Sequence, residues 1–375
     1  MKVYLDNGAT TQVDKDVAKV MQKVLVRDYG NPSSLHEFGE QAKALLEESR
    51  RTVAKAINAS ADEIFFTSGG TESNNIAIRG ILKKTGKKHF ITTKIEHPSV
   101  TNLGKDLEKN GYKVSYLNVD KEGFVSLKDL ESKITKNTGV VAIIHGNNEV
   151  GVIQNMKKIG ALCEKYKVAL HTDAVQSFTK VPIDVKEFKL TSMAISSHKI
   201  HGPKGVGAVY IKRGVRVKSL VYGGHQENNV RPGTENLPGI VGFAKAVEIG
   251  QPVAEIRKLR DKLIEGLLKI PNTMLNGSRE HRLCNNVNIS FKKIEGESIL
   301  MMLNMVGVAV STGSACSSKS LDPSHVLIAM GMKHGDAHGS IRFTLSKYTT
   351  EKEIEYTVKE VKKVVEKLRR MSPVK

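Results

Sequence analysis

Short apolar runs alternate with longer amphipathic runs along most of this chain. The apolar runs predict strands, and the amphipathic stretches between them, such as Glu72–Leu82 and Lys157–Tyr166, predict helices. The predicted strands are Glu63–Phe66, His89–Thr93, Val114–Val119, Val140–Ile144, Val168–Thr172, Met193–Ile195 and Val206–Ile211. This alternation is typical of an α/β fold, in which helices cover both faces of a mainly parallel sheet and ligands bind at the carboxyl ends of the strands.

The order of the predicted elements changes near residue 250. The elements predicted beyond it are helix Pro252–Ile270, strand Val287–Phe291, helix Glu297–Met305, strand Ser340–Leu345 and helix Thr350–Arg370. We therefore expect residues 15–250 to form a large domain with a seven-stranded sheet. Residues 1–14 and 251–375 are expected to form a smaller α+β domain.

Composition is that of a soluble globular enzyme. Hydrophobic residues make up 39% of the 375 residues and charged residues 26%. Apolar runs stay well below the roughly 18 to 20 residues that cross a bilayer, and the amino terminus lacks the pattern of a secretory signal. These features predict a cytoplasmic protein with no membrane segment.

The net charge of +19 would attract polyanions or acidic protein surfaces. The lysines are nevertheless spread along the chain, Trp is absent, and no cluster of arginine and aromatic residues appears. A generally solvated surface is therefore favoured over a dedicated nucleic-acid face. The rival hypothesis is a basic protein that binds RNA or DNA, in which case purified protein would carry no cofactor absorbance and would bind RNA in a salt-sensitive manner.

The three cysteines are too scattered to form a disulfide framework or a zinc site, and no metal site is expected. Cys163 lies in an apolar helical pattern and is predicted to be a buried structural thiol. Cys284 could be buried or reactive. Cys316 lies in a run of small residues, Ser311–Ser318, where a packed element is not expected, so we predict a mobile loop over about 311–322.

Three separated segments carry candidate chemistry. Thr67–Ser73 is a glycine turn that opens a helix, which suits either a phosphate or an ordinary helix cap. Asp173 follows an apolar strand, where it could hold the protonated ring nitrogen of a cofactor or form a turn. Lys199 follows another strand, among hydroxyls, histidines and glycines, and is a candidate Schiff-base lysine. Lys204, in the next turn, is the weaker candidate and is expected at the surface.

The order of these segments resembles that of pyridoxal-phosphate enzymes with a fold type I, aspartate-aminotransferase-like large domain. More specifically, the chain resembles the cysteine desulfurases, in the group of class-V aminotransferases that contains the nitrogen-fixation and iron-sulfur-cluster types. The resemblance covers almost the full length, and chance convergence on so many motifs is not credible. Besides the segments of Asp173 and Lys199, the matching motifs are Tyr4–Thr11, Asn31–His36, Thr67–Ser73, Glu96–His97, Asn147–Gly151, Arg231–Asn236, Ser311–Ser318 and Ser340–Arg342.

The resemblance implies a homodimer that binds pyridoxal 5'-phosphate. Lys199 would form the Schiff base, and His97 would stack on the cofactor ring. The other residues implied to bind the cofactor are Gly70, Thr71, Asn148, Asp173, Gln176, Ser196, His198 and, from the second subunit, Thr234. Substrate carboxylate would be held by Arg342 and Asn148, although from the residues alone a structural ion pair for Arg342 is the favoured interpretation.

The implied reaction removes sulfur from L-cysteine and releases L-alanine. Cys316 would attack as thiolate and become a persulfide, with His97 as the candidate to take the thiol proton. An iron-sulfur scaffold or another sulfur acceptor would then receive the sulfur, so that Cys316 could contact an iron-sulfur cluster transiently, and nucleic acid would be served only indirectly through tRNA thiolation. The alternatives are a selenocysteine lyase or another aminotransferase-like enzyme, but an aminotransferase has no use for Cys316.

The chain departs from its relatives at two places. Gly8 stands where most have alanine, a change expected to matter little. Housekeeping iron-sulfur-cluster members continue beyond the position of Met371–Lys375 into a tail that docks the scaffold protein. Whether this chain docks a scaffold protein is therefore an open question.

Overall fold

The computed structural model describes residues 1–312 and 323–371. Up to residue 250 the strands are β1 (Val3–Tyr4), β2 (Ile64–Thr67), β3 (His89–Thr93), β4 (Lys113–Leu117), β5 (Thr138–Ala142), β6 (Ala169–Asp173), β7 (Ser192–Ser196) and β8 (Gly207–Ile211). The α-helices of the same part are α1 (Lys15–Val26), α2 (Glu37–Lys55), α3 (Gly70–Thr85), α4 (Pro98–Lys109), α5 (Leu127–Lys133), α6 (Met156–Lys165) and α7 (Leu237–Ile249).

The remaining described residues form further strands and helices. The strands are β9 (Thr273–Leu275), β10 (Asn286–Phe291), β11 (Val308–Ala309), β12 (Ser311–Thr312) and β13 (Ser340–Thr344). The α-helices are α8 (Val253–Leu268), α9 (Gly296–Met305), α10 (His325–Ala329), α11 (His334–His338) and α12 (Glu351–Met371). None of the helices in the described residues is long and apolar enough to cross a membrane.

The larger sheet has seven strands in the order β2-β8-β7-β6-β5-β3-β4. Strand β8 runs antiparallel to both of its neighbours, whereas the other neighbouring pairs are parallel. This confirms the predicted fold class, a mainly parallel sheet covered by helices. Periodicity alone predicted the strands but not the reversed direction of β8, because strand direction depends on the connections between strands.

Both faces of the larger sheet are buried, which explains why its strands read as continuous apolar runs. Val140 belongs to the core cluster formed with α3 and α4, whereas the next residue, Val141, belongs to the cluster that includes α2, α6 and α7. Successive strand residues point to opposite faces, so each face needs its own apolar side chains. Because both faces are covered, a ligand site can form at the ends of these strands, where polar residues lie.

The smaller sheet has four antiparallel strands in the order β12-β13-β10-β9. Its apolar residues pack in one core cluster with α8, α9 and α12. The start of the chain joins this part of the molecule, since β1 pairs with β11 and Asp6 forms an isolated bridge with Thr344. The domain boundaries at residues 14 and 250 stay a prediction.

Candidate active site

A cavity of about 340 Å³ lies where several strands of the larger sheet reach their carboxyl ends. Asp173 is the last residue of β6 and Ser196 the last of β7, and Lys199 follows β7 within a short 3₁₀ turn. The cavity is lined by Gly8, Ala9, Gly70, Thr71, His97, Ser99, Ile144, Asn148, Asp173, Val175, Gln176, Ser196, His198, Lys199 and Arg342. The location is the one expected for a ligand site in a parallel α/β sheet.

Most of the residues singled out in the sequence line this one cavity. They are Gly70, Thr71, His97, Asn148, Asp173, Gln176, Ser196, His198, Lys199 and Arg342. Thr234 does not line it and is exposed on the surface of this chain. Cys316 and the rest of 313–322 lie outside the described residues.

One end of the cavity suits a phosphate group. Gly70 and Thr71 form the first turn of α3, a helix of 16 residues whose amino-terminal N–H groups and dipole favour an anion. A Cβ atom on Gly70 would lie 2.5 Å from Val175 Cγ2, so a larger residue at this position would require Val175 to move. Ser196 adds a hydroxyl from the end of β7.

His198 lies beside the same end of the cavity. Its Nδ1 is 3.2 Å from Thr10 Oγ1. Burial, with the nearby Lys199, Lys204 and Lys180, lowers the pKa of His198 to about 4. The ring is therefore neutral at physiological pH and can offer a single N–H to a ligand.

Asp173 is held rigidly at another side of the cavity. Its Oδ2 accepts a hydrogen bond from Asn74 Nδ2 at 2.8 Å, and its Oδ1 accepts one from the backbone N–H of Val175 at 3.0 Å. Each carboxylate oxygen has more than one acceptor direction, so these two bonds orient the group without exhausting it. A carboxylate fixed in this way can accept a further bond from a protonated ring nitrogen.

Lys199 contacts the segment formed by Gly8 and Ala9. Its Nζ donates to the carbonyl oxygens of Gly8 at 2.7 Å and Ala9 at 2.6 Å, and Gln176 Nε2 also donates to Gly8 at 2.9 Å. Sequence reasoning did not place Gly8 and Ala9 in the cavity. The signal was present, since both belong to the matching motif Tyr4–Thr11.

Arg342 makes a structural ion pair and still has donor capacity left. Its Nη2 lies 3.0 Å from Asp6 Oδ1, and its Nη1 donates to the carbonyl oxygen of Asn148 at 3.0 Å. Among the described residues, the buried atoms Arg342 Nε and Asn148 Oδ1 have no hydrogen-bond partner. Buried polar atoms without partners are rare, and both residues line the cavity, where Arg342 Nε can donate to a ligand oxygen and Asn148 Oδ1 can accept from a ligand N–H or O–H.

His97 is the N-cap of α4. Its Nδ1 accepts from the backbone N–H of Ser99 at 3.1 Å and lies 2.8 Å from Ser99 Oγ. Burial lowers the pKa of His97, Lys199 and His325 lower it further, and Asp173 acts in the opposite direction. Ser99 lines the cavity beside it, and neither Ser99 nor Asn74 was singled out in the sequence.

The two described cysteines are unsuited to nucleophilic chemistry. Cys163 is 1% exposed and Cys284 is 2% exposed. Burial raises the pKa of the Cys163 thiol to about 12 and raises that of Cys284 as well, so little thiolate forms at neutral pH. The prediction for Cys163 is confirmed, and Cys284 is also buried. Within the described residues, no group of three His, Cys, Asp or Glu side chains is arranged to hold a metal ion.

Lys204, the weaker candidate for the Schiff-base lysine, is exposed in the turn after Pro203, as predicted. It does not line the cavity. Of the two candidate lysines, only Lys199 therefore lines the cavity.

Known proteins resemble this chain over almost its whole length. The family model described as aminotransferase class-V matches residues 3–357. A cysteine desulfurase IscS from Dictyoglomus turgidum is 47% identical over 382 residues, which cover 100% of this chain and 97% of the relative. A cysteine desulfurase IscS from Methanosarcina thermophila is 47% identical over 379 residues, which cover 99% of this chain and 94% of the relative.

Solved structures agree with these relatives. A NifS-like protein matches with a TM-score of 0.93 and 38% identity, covering 98% of this chain and 100% of that one. SspA in complex with cysteine matches with a TM-score of 0.84 and 34% identity, covering 93% and 100%. The similarity thus extends through both sheets and includes every segment that lines the cavity.

Proposed function

The chain belongs to the class-V aminotransferase family and is a pyridoxal-phosphate-dependent cysteine desulfurase, and from this we propose that the cavity binds L-cysteine and that its sulfur passes to Cys316. The observation that carries the proposal is the convergence of Lys199, Asp173, His97 and Arg342 on one cavity. These four residues come from distant parts of the sequence. Together they supply an amine, a carboxylate, an imidazole and a guanidinium.

The lining residues fit pyridoxal phosphate. Lys199 would hold the cofactor covalently, and the first turn of α3, with Ser196 and His198, would hold its phosphate. Asp173 would accept a hydrogen bond from the protonated ring nitrogen, and His97, neutral at physiological pH, would stack on the ring. When bound, the cofactor supplies an electron sink that stabilises negative charge at the substrate Cα.

The substrate carboxylate would be bound by Arg342 and Asn148. Arginine suits this role because its planar donors match the two oxygens of a carboxylate. The ion pair with Asp6 fixes the guanidinium and leaves Nε for the ligand. The structural ion pair expected from the sequence is present, and the proposal adds substrate binding by the same side chain.

The remaining steps belong to Lys199 and Cys316. The amine of Lys199 would take the proton from the substrate Cα. The Cys316 thiolate would then attack the substrate sulfur, so that the bond between Cβ and sulfur breaks, a persulfide forms on Cys316, and the carbon skeleton leaves as L-alanine after protonation. Cys163 and Cys284 are excluded from this role by their burial.

A second copy of the chain completes the site in this proposal. Thr234 is exposed on its own chain and does not line the cavity of that chain, which supports a role for it at the phosphate end of the partner's cavity. The proposed assembly is therefore a homodimer in which each subunit lends Thr234 to its partner. We further propose that the protein is cytoplasmic and delivers sulfur to an iron-sulfur scaffold, with tRNA thiolation as an indirect alternative.

The experiment that tests the function is an assay with L-cysteine and a thiol reductant. Holoenzyme is expected to release alanine and sulfide in equal amounts. Cys316→Ala is expected to keep the cofactor and to lose alanine formation. Full turnover of L-cysteine by Cys316→Ala would instead favour a related enzyme without a cysteine nucleophile, such as an aminotransferase.

A further inference from the structure

We propose that Asn74 and Ser99 are positioning residues that fix His97 in the neutral tautomer with its proton on Nε2. In this state His97 offers a hydrogen-bond donor at Nε2 and has no free lone pair there. The role given to this tautomer rests on the proposed function, but the tautomer of His97 can be measured independently of desulfurase activity. It also changes the hypothesis, drawn from the sequence, that His97 takes the thiol proton of Cys316.

The first step of the argument concerns Nδ1 of His97. The backbone N–H of Ser99 donates to this atom at 3.1 Å, and a backbone N–H can only donate. A neutral imidazole has one donor and one acceptor nitrogen, so Nδ1 must be the acceptor. The ring proton of neutral His97 is then on Nε2.

The second step concerns the hydroxyl of Ser99, which is 2.8 Å from both His97 Nδ1 and Asn74 Nδ2. Asn74 donates to Ser99 Oγ, so the hydroxyl hydrogen of Ser99 is free to point at His97. Nδ1 thus receives two donors, one from the backbone and one from the side chain of the same residue. Both stabilise the unprotonated form of this nitrogen.

The third step concerns the orientation of the Asn74 amide, which is completely buried. Its Nδ2 also donates to Asp173 Oδ2 at 2.8 Å, and its Oδ1 lies 2.9 Å from Nε2 of the buried His171. Asp173 is a carboxylate that can only accept, so rotating the amide would place two acceptors together and leave a buried polar group unpaired. The amide is therefore held with its nitrogen toward Ser99 and Asp173.

These bonds form a continuous chain from Asp173 through Asn74 and Ser99 to His97. Asp173 and His97 are two of the groups predicted to contact the cofactor ring, so one buried amide and one hydroxyl set the relative positions of both. Protonation of His97 would have to occur at Nδ1 and displace two donors. The ring is consequently suited to donate a hydrogen bond at Nε2, and the proton of an attacking thiol must go to another acceptor.

The surroundings of His97 as a whole lower its pKa and so also favour the neutral ring. Asp173 on β6 favours the protonated ring, whereas Lys199 after β7 and His325 on α10 disfavour it, and burial is the largest cause of the lowered pKa. Removing the Ser99 hydroxyl deletes one donor to the neutral form. The pKa of His97 should therefore rise in Ser99→Ala.

The test is nitrogen NMR of holoenzyme labelled with ¹⁵N-histidine, with the His97 signals assigned by their loss in His97→Gln. Wild-type protein should show a protonated Nε2 and an unprotonated Nδ1. In Ser99→Ala the titration midpoint of His97 should rise by about 0.5 to 1 pH unit, the shift expected for one hydrogen bond. Ser99→Thr, which keeps the hydroxyl, should restore the wild-type midpoint.

Ser115→Ala is the matched control, because Ser115 Oγ contacts a different buried histidine, His89, at 3.0 Å. It should leave the His97 signals unchanged. A proton on Nδ1 in the wild-type protein, or identical His97 titrations in wild type and Ser99→Ala, would overturn the inference. Lack of alanine formation with the Nε2 tautomer present would instead contradict the proposed function alone.

Discussion

Arg342, which lines the cavity, forms an ion pair with Asp6, and Arg342 Nη2 lies 3.0 Å from Asp6 Oδ1. Arg342 lies in the middle of β13, whereas Asp6 belongs to the segment that follows β1. The ion pair thus connects the first residues of the chain to the smaller sheet at the place where substrate is proposed to bind. It orients a buried guanidinium whose Nε has no partner among the described residues.

The first prediction concerns this pair. Arg342→Lys keeps the charge but loses the planar donors, so kcat/KM for L-cysteine should fall by about 10- to 100-fold, or roughly 1.4 to 2.7 kcal/mol. Asp6→Asn should raise KM by a smaller factor, about three- to tenfold, because it only loosens the guanidinium. Steady-state kinetics measure both effects, and an unchanged kcat/KM in Arg342→Lys would contradict the role of Arg342.

The second prediction separates the two candidate lysines. Lys199→Ala should purify without the covalent cofactor absorbance and without desulfurase activity, because no other lysine lines the cavity among the described residues. Lys204→Ala removes a lysine only five positions away that is exposed in a turn, and it should retain both. Absorbance spectra before and after borohydride reduction measure the covalent bond. A reducible bond in Lys199→Ala would show that a lysine other than Lys199 holds the cofactor.

The third prediction tests the contribution of a second subunit. Thr234→Val should weaken cofactor binding although Thr234 lies outside the cavity of its own chain, and Thr234→Ser should restore it. Mixing Thr234→Val with Lys199→Ala under subunit exchange should create sites that combine an intact Lys199 with the partner's intact threonine. Recovery of activity in the mixture supports the shared site, whereas a monomer at assay concentrations argues against it.

The fourth prediction concerns Glu96, which is 1% exposed. Its Oε1 accepts hydrogen bonds from Thr93 and Ile144, but its Oε2 has no partner among the described residues. Burial, with a smaller contribution from Asp173, raises the pKa of Glu96 from 4.5 to about 8. The folded state therefore keeps this proton over a pH range in which the unfolded state has lost it.

The consequence is a stability contribution that is present below pH 4.5 and is lost as the pH rises to about 8. Glu96→Gln is neutral at every pH and avoids this loss. Its Tm relative to wild type should rise between pH 5 and pH 9, with a gain of a few kcal/mol in unfolding free energy at the upper end. Glu366→Gln, an exposed change on α12, should show no such trend, and equal trends for the two variants would contradict the account.

Much of the fold could be predicted from the pattern of apolar residues. The strands of the larger sheet are buried on both faces and therefore stand out as apolar runs, and the predicted Met193–Ile195 lies within β7. The short strands β1, β11 and β12 carry no comparable signal, because two residues cannot show a period. Their existence depends on contacts between residues far apart in the sequence, such as the pairing of Val3 with Val308.

Residues of the cavity could be predicted from the sequence when they directly follow a predicted strand. Asp173 and Lys199 could be selected because both come at or just after the carboxyl end of a buried strand. Asn74 and Ser99 could not, since each is an ordinary polar residue within the first turns of a helix until the fold places it against His97. Residues that act through other residues are identified by contacts, and a single sequence does not contain those contacts.

The most direct test of the central claim is to treat holoenzyme with sulfur-labelled L-cysteine and to map the label by mass spectrometry of alkylated peptides. The account predicts one added labelled sulfur on the peptide that carries Cys316, formed together with one alanine, and none on the peptides of the buried Cys163 and Cys284. Alanine formation with no label on Cys316, or label on either buried cysteine instead, would contradict it.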